Sequence, residues 1–397
     1  MLYKVGLSYF FSVMKVLTCA LRFLPAVVII FCCSFHARSQ SSKYDSIRVD
    51  GRWRTFLVHQ PVGYTASKRY PLVLAFHGGS PLGYQSIQYQ SRLTEKSDSS
   101  GFILVYPEGV RAAGNRTWNA GGCCAPATAL NIDDVGFTSA LLDTLFGSYA
   151  VDTTRVYATG FSNGALLCYR LANELSSRFA AIAPVAGDLV IYPWNPQRAV
   201  PIIAFHSYAD QNVKYFGGVT VGATGTYFPP QDSVFALIAA NYMCTTIKDT
   251  IVHTANSYDH FVYRGCRCGT EVQQYISVDG EHSWPGGLAS GSTTVSNMFS
   301  ATALMWEFFS KYTTACIASS VDEPHSEADI NGMVYPNPFT DRVHLRGATG
   351  TERCVVYDAA GRIVADVQDL EQCELSILPA GRYFLRVSQR VYSLVKE

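Results

Sequence analysis

Gly160-Phe161-Ser162-Asn163-Gly164 constrains this chain more than any other stretch. The apolar run 155–159 ahead of it reads as a strand, and residues 165–175 behind it read as a helix. A chain that passes from strand to helix this quickly must turn sharply. Glycines two residues either side of the serine let the backbone pass without side-chain clash. The turn lifts Ser162 Oγ above the sheet edge, at a helix N-terminus where negative charge is stabilised. Two readings are open: a nucleophile in strained geometry, or a helix-capping serine.

The surroundings repeat the same architecture. Apolar runs at 56–59, 72–76, 103–106, 156–159, 181–185, 202–205 and 272–277 alternate with amphipathic stretches at 134–149, 163–175, 232–243 and 296–312. Several runs are continuously apolar, as expected of strands covered on both faces. Residues 41–315 therefore read as one α/β domain with a mostly parallel central sheet. Residues 316–332 are polar and read as a linker. Residues 333–397 carry short alternating runs between turn signals and read as a small all-β, sandwich-like domain.

A serine hydroxyl needs a base, and the base needs an acid to orient it. The turn resembles the nucleophile turn of α/β-hydrolases, which implies that the acid and then the histidine follow it in the chain, each on a loop after a strand. Asp210 follows the 202–205 strand, and His282 follows the 272–277 strand. Asp188, after the 181–185 strand, is the rival acid. Asp210 could instead be an Asx-turn residue. His59, His77, His206, His253 and His260 are weaker candidates for the base.

A tetrahedral oxyanion needs backbone N–H donors. Asn163 supplies one, and the turn His77-Gly78-Gly79-Ser80 offers a second from Gly79 or Ser80. No Gly-Lys-Ser/Thr follows, so this is not a phosphate-binding loop. Trp118, in the glycine-rich loop Trp118–Cys124, is either a substrate-facing wall or a core residue. Trp284, two residues past His282, is expected to line the pocket. Asp133 and Asp134 are expected to cap a helix.

Composition excludes other classes. The 397 residues include 24 Tyr, 22 Phe and 5 Trp, too much core material for wholesale disorder. Lys and Arg number 31 against 31 Asp and Glu, and the first 40 residues hold four basic and no acidic side chains. The remainder is mildly acidic and has no electrostatic footprint for nucleic acid. Residues 1–40 read as a secretory signal, with Met14 an alternative start and an apolar run at 23–33 too short to span a bilayer. No stable membrane insertion is expected. Nine cysteines follow the signal, and export favours disulfides. Cys168 is expected to stay free, and Cys354 and Cys373 to pair locally. Cys123-Cys124 and Cys266-x-Cys268 lack structural-zinc spacing, so no metal and no cofactor are expected.

GFSNGA, preceded by HGGS, WNAGGCC, IDDVGF and VYATG and followed by HSYAD and GEHSWPGG, resembles secreted esterases of the polyhydroxybutyrate depolymerase and feruloyl esterase group. The resemblance covers about residues 50–312 and implies an α/β-hydrolase with Ser162, Asp210 and His282 as its triad. Members often read GMSAGG where this chain has GFSNGA. Residues 333–397, with VYPNPFTDRVHLR, VVYDAAGRIV and LSILPAGRYFLRV, resemble the type A sorting domain of the type IX secretion system. That implies an extracellular or cell-surface protein with the secretion machinery as a partner. A carbohydrate-binding β-module is the alternative for this tail.

Together these features point to a secreted serine esterase. Its expected substrates are feruloyl or acetyl-xylan esters of plant cell-wall polysaccharide, presented on an extracellular polymer or its fragments. An extracellular polyhydroxyalkanoate depolymerase, a peptidase, and a non-catalytic binding protein on a hydrolase fold are the alternatives.

Overall fold

Burial of successive residues on opposite faces organises the molecule, as the strand Tyr70–Phe76 shows. All seven of its residues are buried. Leu72, Leu74 and Phe76 join one apolar cluster, and Val73 and Ala75 join another. A strand covered this way sits in the interior of a sheet with helices on both faces.

The computed structural model describes residues 41–220, 225–245, 249–252, 258–315, 334–335, 338–345, 354–358, 363–367, 375–387 and 390–397. The expected signal at 1–40 and the expected linker at 316–332 lie outside the described residues. The central sheet comprises β1 (Ser41–Val49), β2 (Arg52–Gln60), β3 (Tyr70–Phe76), β4 (Ile103–Pro107), β5 (Val151–Phe161), β6 (Ala181–Val185), β7 (Ile202–Ser207), β8 (Asp249–Val252), β9 (Tyr258–Cys266) and β10 (Thr270–Ser277). Its order is β1-β2-β4-β3-β5-β6-β7-β10-β9-β8. The six strands from β4 to β10 in that order run parallel. Antiparallel pairs extend both edges.

Helices α3 (Asp134–Ser148), α4 (Asn163–Glu174) and α5 (Gln231–Asn241) supply one apolar cluster. Helices α1 (Tyr84–Ser91), α2 (Leu93–Ser100) and α6 (Ala301–Phe309) supply the other. The last helix starts later than its apolar run suggests, because Ser300 caps it by accepting the Ala303 N–H. Separate short segments at α1 and α2 result from Arg92, whose φ of 55° breaks the helix between them.

The C-terminal residues form an antiparallel sheet of β11 (Cys354–Asp358), β12 (Ile363–Val367), β13 (Gly381–Val387) and β14 (Arg390–Lys396), in the order β12-β11-β13-β14. Val356, Leu385 and Leu394 pack with Phe339 and Leu375 into its own small core. This is the expected all-β segment.

Disulfides join Cys244 to Cys266 and the neighbours Cys123 and Cys124. Those sulfurs are consumed and offer no thiolate to a metal. Cys168 is a buried free thiol. Cys373, the expected partner of Cys354, lies outside the described residues. Among the described residues no helix is long and apolar enough to cross a membrane.

Candidate active site

At the end of β5 the chain turns into α4 through Ser162, whose φ is 53° and ψ −120°. Left-handed backbone at a non-glycine residue persists only where its surroundings over-determine it. Here the glycines do so. A Cβ on Gly164 would lie 2.2 Å from the Phe76 carbonyl oxygen, and one on Gly160 would lie 2.4 Å from that of Gly164. Strands β3 and β5 and helix α4 thus meet at van der Waals distance. Ser162 makes no side-chain cap bond to the helix, so the hydroxyl is not spent on capping.

Asp210 and His282, 72 residues apart in sequence, are brought into contact. The His282 Nδ1–H donates to Asp210 Oδ2 at 2.8 Å. Asp210 Oδ1 accepts the N–H groups of Asn212 and Val213 at 2.8 and 2.9 Å. Burial pushes this carboxyl up. The adjacent His282, His206 and the Val213 amide outweigh that, and the carboxyl settles below its ordinary range. Asp188, the rival acid, is fully buried elsewhere. Its Oδ1 accepts the Leu189 N–H, and its Oδ2 has no hydrogen-bond partner among the described residues. The Phe161 ring lies 4.9 Å from the His282 ring.

Beside Ser162 lies the 77–80 turn; a Cβ on Gly78 would stand 3.2 Å from Ser162 Cβ. The Gly109 N–H donates to His77 Nε2 at 3.0 Å, so the ring proton is on Nδ1, which donates to the Gly78 carbonyl at 2.6 Å. Burial lowers the His77 imidazole to about 4, so it is neutral at physiological pH. With the Gly78 carbonyl held, the trans peptide points the Gly79 N–H the opposite way. The Ser80 N–H donates to the Arg116 carbonyl at 3.1 Å. Of the two expected donors, Ser80 is therefore committed, and Gly79 keeps its amide free of a protein acceptor among the described residues.

Two tryptophans correct the sequence reading. Trp118 and Trp284 are 0% and 1% exposed, and neither lines the cleft around Ser162. Each indole N–H is satisfied inside the protein, Trp118 by the His77 carbonyl at 2.8 Å and Trp284 by Thr302 Oγ1 at 2.9 Å. Trp118 braces the 77–80 turn from behind, and Trp284 anchors the His282 loop to α6.

Asn163 does more than its position after Ser162 suggests. Its Oδ1 accepts the Trp118 N–H at 2.7 Å, and its Nδ2 donates to the Trp118 carbonyl at 3.0 Å. The side chain clamps the 118–124 loop to the start of α4. From the other side, Asp134 accepts the Asn119 N–H and pairs with buried Arg54 at 2.6 Å. Asp133 alone caps α3; the cap expected of Asp134 gives way to this ion pair. An Asp-Asp pair before a helix hides such a division, since one cap site takes one carboxylate.

Ser162, His282, Asn163 and Gly79 open onto a single cleft of about 520 Å³. Cys123, Cys124, Leu166, Val213 and Phe228 form its apolar side, and Gln85, Gln90 and Asn115 are among its polar groups.

Comparison with known proteins places this site in context. Residues 55–192 match the family described as "Esterase PHB depolymerase", and residues 333–397 match "Secretion system C-terminal sorting domain". The chain is 32% identical over 174 residues to "Bifunctional acetylxylan esterase/xylanase XynS20E" of Neocallimastix patriciarum, covering 43% of this chain and 23% of that protein. It is 30% identical over 174 residues to "Feruloyl esterase B" of Piromyces equi, covering 42% and 31%. With "Feruloyl esterase C" of Emericella nidulans it shares 27% identity over 176 residues, covering 43% and 60%. The chain thus spans less than two thirds of each of these relatives. The sorting domain marks the protein for the extracellular space or cell surface. The chain therefore joins an α/β-hydrolase esterase domain of the polyhydroxybutyrate depolymerase and feruloyl esterase-like family to a C-terminal type IX secretion sorting domain.

Proposed function

We propose that this protein is a secreted serine esterase that cleaves feruloyl or acetyl esters from plant cell-wall polysaccharide, with Ser162, Asp210 and His282 as its triad. The observation that carries the reading is the 2.8 Å bond from His282 to Asp210, which ties an imidazole on the cleft wall to a charged carboxylate. With Nδ1–H engaged, Nε2 is the basic nitrogen left to face the cleft.

In the reaction, Ser162 Oγ attacks the ester carbonyl carbon and its proton passes to His282 Nε2. Asp210 holds the ring in the required tautomer and stabilises the imidazolium. The carbonyl oxygen becomes an oxyanion, received by the N–H groups of Asn163 and Gly79. The C–O bond to the alcohol breaks, and His282 protonates the departing alkoxide. Water, deprotonated by His282, then attacks the acyl-enzyme, releasing the acid and restoring Ser162. His77 keeps the Gly79 amide in place as a positioning residue, and it does so only while neutral.

The substrate class draws on the names of the relatives, two of which are feruloyl esterases and one an acetylxylan esterase. The test is turnover of methyl ferulate, acetylated xylan and polyhydroxybutyrate film by the wild-type protein and Ser162→Ala. The variant should lose about 10⁴-fold or more in kcat on the esters while its melting temperature holds. Activity in Ser162→Ala equal to wild type would overturn the nucleophile. Turnover of the polyester film alone would overturn the cell-wall assignment.

A further inference from the structure

We propose that the Cys123–Cys124 disulfide is the floor of the acyl half of the cleft and sets the enzyme's preference for large over small acyl groups. This rests on the esterase reading above and adds the element that determines acyl specificity.

An ester has two unlike halves, and the cleft lining holds one contiguous apolar cluster together with several amide side chains. Cys123 and Cys124 pack with Leu166, Val213 and Phe228 in a small apolar cluster distinct from the two main cores. All five line the cleft. The cluster begins at the reacting groups: Leu166 is one helical turn past Ser162, and Val213 donates its N–H to Asp210. Outside that cluster, Gln85, Gln90 and Asn115 bring amide groups to the lining, with Leu82 and Tyr89 beside them. A sugar alcohol presents hydroxyls and is matched by those amides. The acyl chain or ring presents carbon and is matched by the apolar cluster. A disulfide suits that cluster, because it carries no N–H or O–H to be left unpaired and its sulfurs are polarizable.

The floor is also fixed in position, which a specificity determinant requires. The Cys124 N–H donates to the Trp118 carbonyl at 3.3 Å, and the Ala120 N–H to the Cys123 carbonyl at 2.6 Å. Asn163 holds the Trp118 backbone at both its N–H and its carbonyl. Behind the pair, the loop presses on the segment after β6. A Cβ on Gly122 would lie 2.3 Å from the Val190 carbonyl oxygen, and one on Gly121 would lie 2.3 Å from Ile191 Cγ2. The loop cannot retreat, so the disulfide keeps a fixed apolar surface against the acyl group, and a large acyl group gains more from that surface than a small one.

The experiment compares p-nitrophenyl acetate, butyrate and ferulate, which share one leaving group, on the full chain. Its variants are wild type, the double substitution Cys123→Ala with Cys124→Ala, and Phe228→Ala. The ratio of kcat/KM for ferulate or butyrate over acetate should fall about tenfold in the double variant, mainly through a raised KM. Phe228→Ala should shift the ratio the same way with the disulfide intact, and this arm decides the matter should the double variant fail to fold. An unchanged ratio in either folded variant would overturn the proposal. So would an equal kcat loss on all three esters, which would make the disulfide a brace for the oxyanion loop. Ser162→Ala is run beside them. Activity there would remove the esterase mechanism itself, a failure separate from any change in acyl preference.

Discussion

Asp188 lies three residues past the end of β6, and Asp210 lies three residues past the end of the adjacent parallel strand β7. Their surroundings then diverge. Asp210 receives two backbone N–H groups and an imidazole, and its carboxyl is held below the ordinary range. Asp188 receives one backbone N–H, faces Tyr169 and Tyr192, and is pushed well above that range by burial. Position relative to a strand brings a carboxylate to the sheet edge; hydrogen-bond donors decide whether it stays charged there. A charged carboxylate stabilises an imidazolium better than a protonated one, which is why the proposed acid role goes to Asp210 and not to Asp188.

The sharpest way to break this contrast is to neutralise each acid without changing its shape. Asp210→Asn should lower kcat on p-nitrophenyl butyrate by about 10⁴-fold, because an amide beside Nδ1 favours the wrong tautomer. Asp188→Asn should change kcat by less than about threefold, since among the described residues the hydrogen bond of Asp188 goes to the Leu189 N–H and not to a group lining the cleft. Steady-state kinetics on both purified variants reads this directly. A large loss in Asp188→Asn with a small one in Asp210→Asn would reverse the assignment.

This contrast also marks what the sequence could show. The turn at Ser162 was legible because its signal is local: a strand, two glycines, a serine and a helix within about twenty residues. The α/β class was legible for a similar reason, since apolar runs such as 72–76 and 181–185 are buried on both faces. The choice between Asp188 and Asp210 was not, because it depends on which loop meets His282 across the sheet edge. Trp118 and Trp284 misled because an indole serves a core and a cleft equally well. What separates the cases is the acceptor found by each N–H, and His77 and Thr302 lie 41 and 18 residues away. The ion pair of Asp134 with Arg54 spans 80 residues and leaves no periodic trace.

His77 extends the contrast to a buried base. Folded, its imidazole titrates at about 4 against an ordinary 6.5. The unfolded chain therefore takes up a proton that the folded chain refuses. The stability linked to this group is full above pH 6.5 and drains away as the pH falls toward 4, by about 3 kcal/mol. Protonation would also remove the Gly109 N–H bond that steadies the Gly78–Gly79 peptide. Urea melts from pH 7 to pH 4 should show a flatter decline for His77→Asn than for wild type, whatever the variant's stability at pH 7. Equal slopes would mean that His77 is solvated and free to titrate.

The smallest effect tests the other side of the comparison by its sign. Asp210 is depressed, so its contribution is present above the ordinary carboxylate range and lost as the pH falls through its folded value. Asp188 is raised, so the folded chain keeps a proton that the unfolded chain releases, and stability declines as the pH rises above about 4. Asparagine at 188 keeps the volume and removes the titration. Asp188→Asn should therefore match wild type near pH 4 and be the more stable of the two at pH 8. Asp210→Asn should show no such gain on raising the pH, because the charge it removes is a favourable one. If Asp188→Asn were instead less stable than wild type at pH 8, Asp188 would be ionised and paired, and the two loops would not differ in the way their hydrogen bonds indicate.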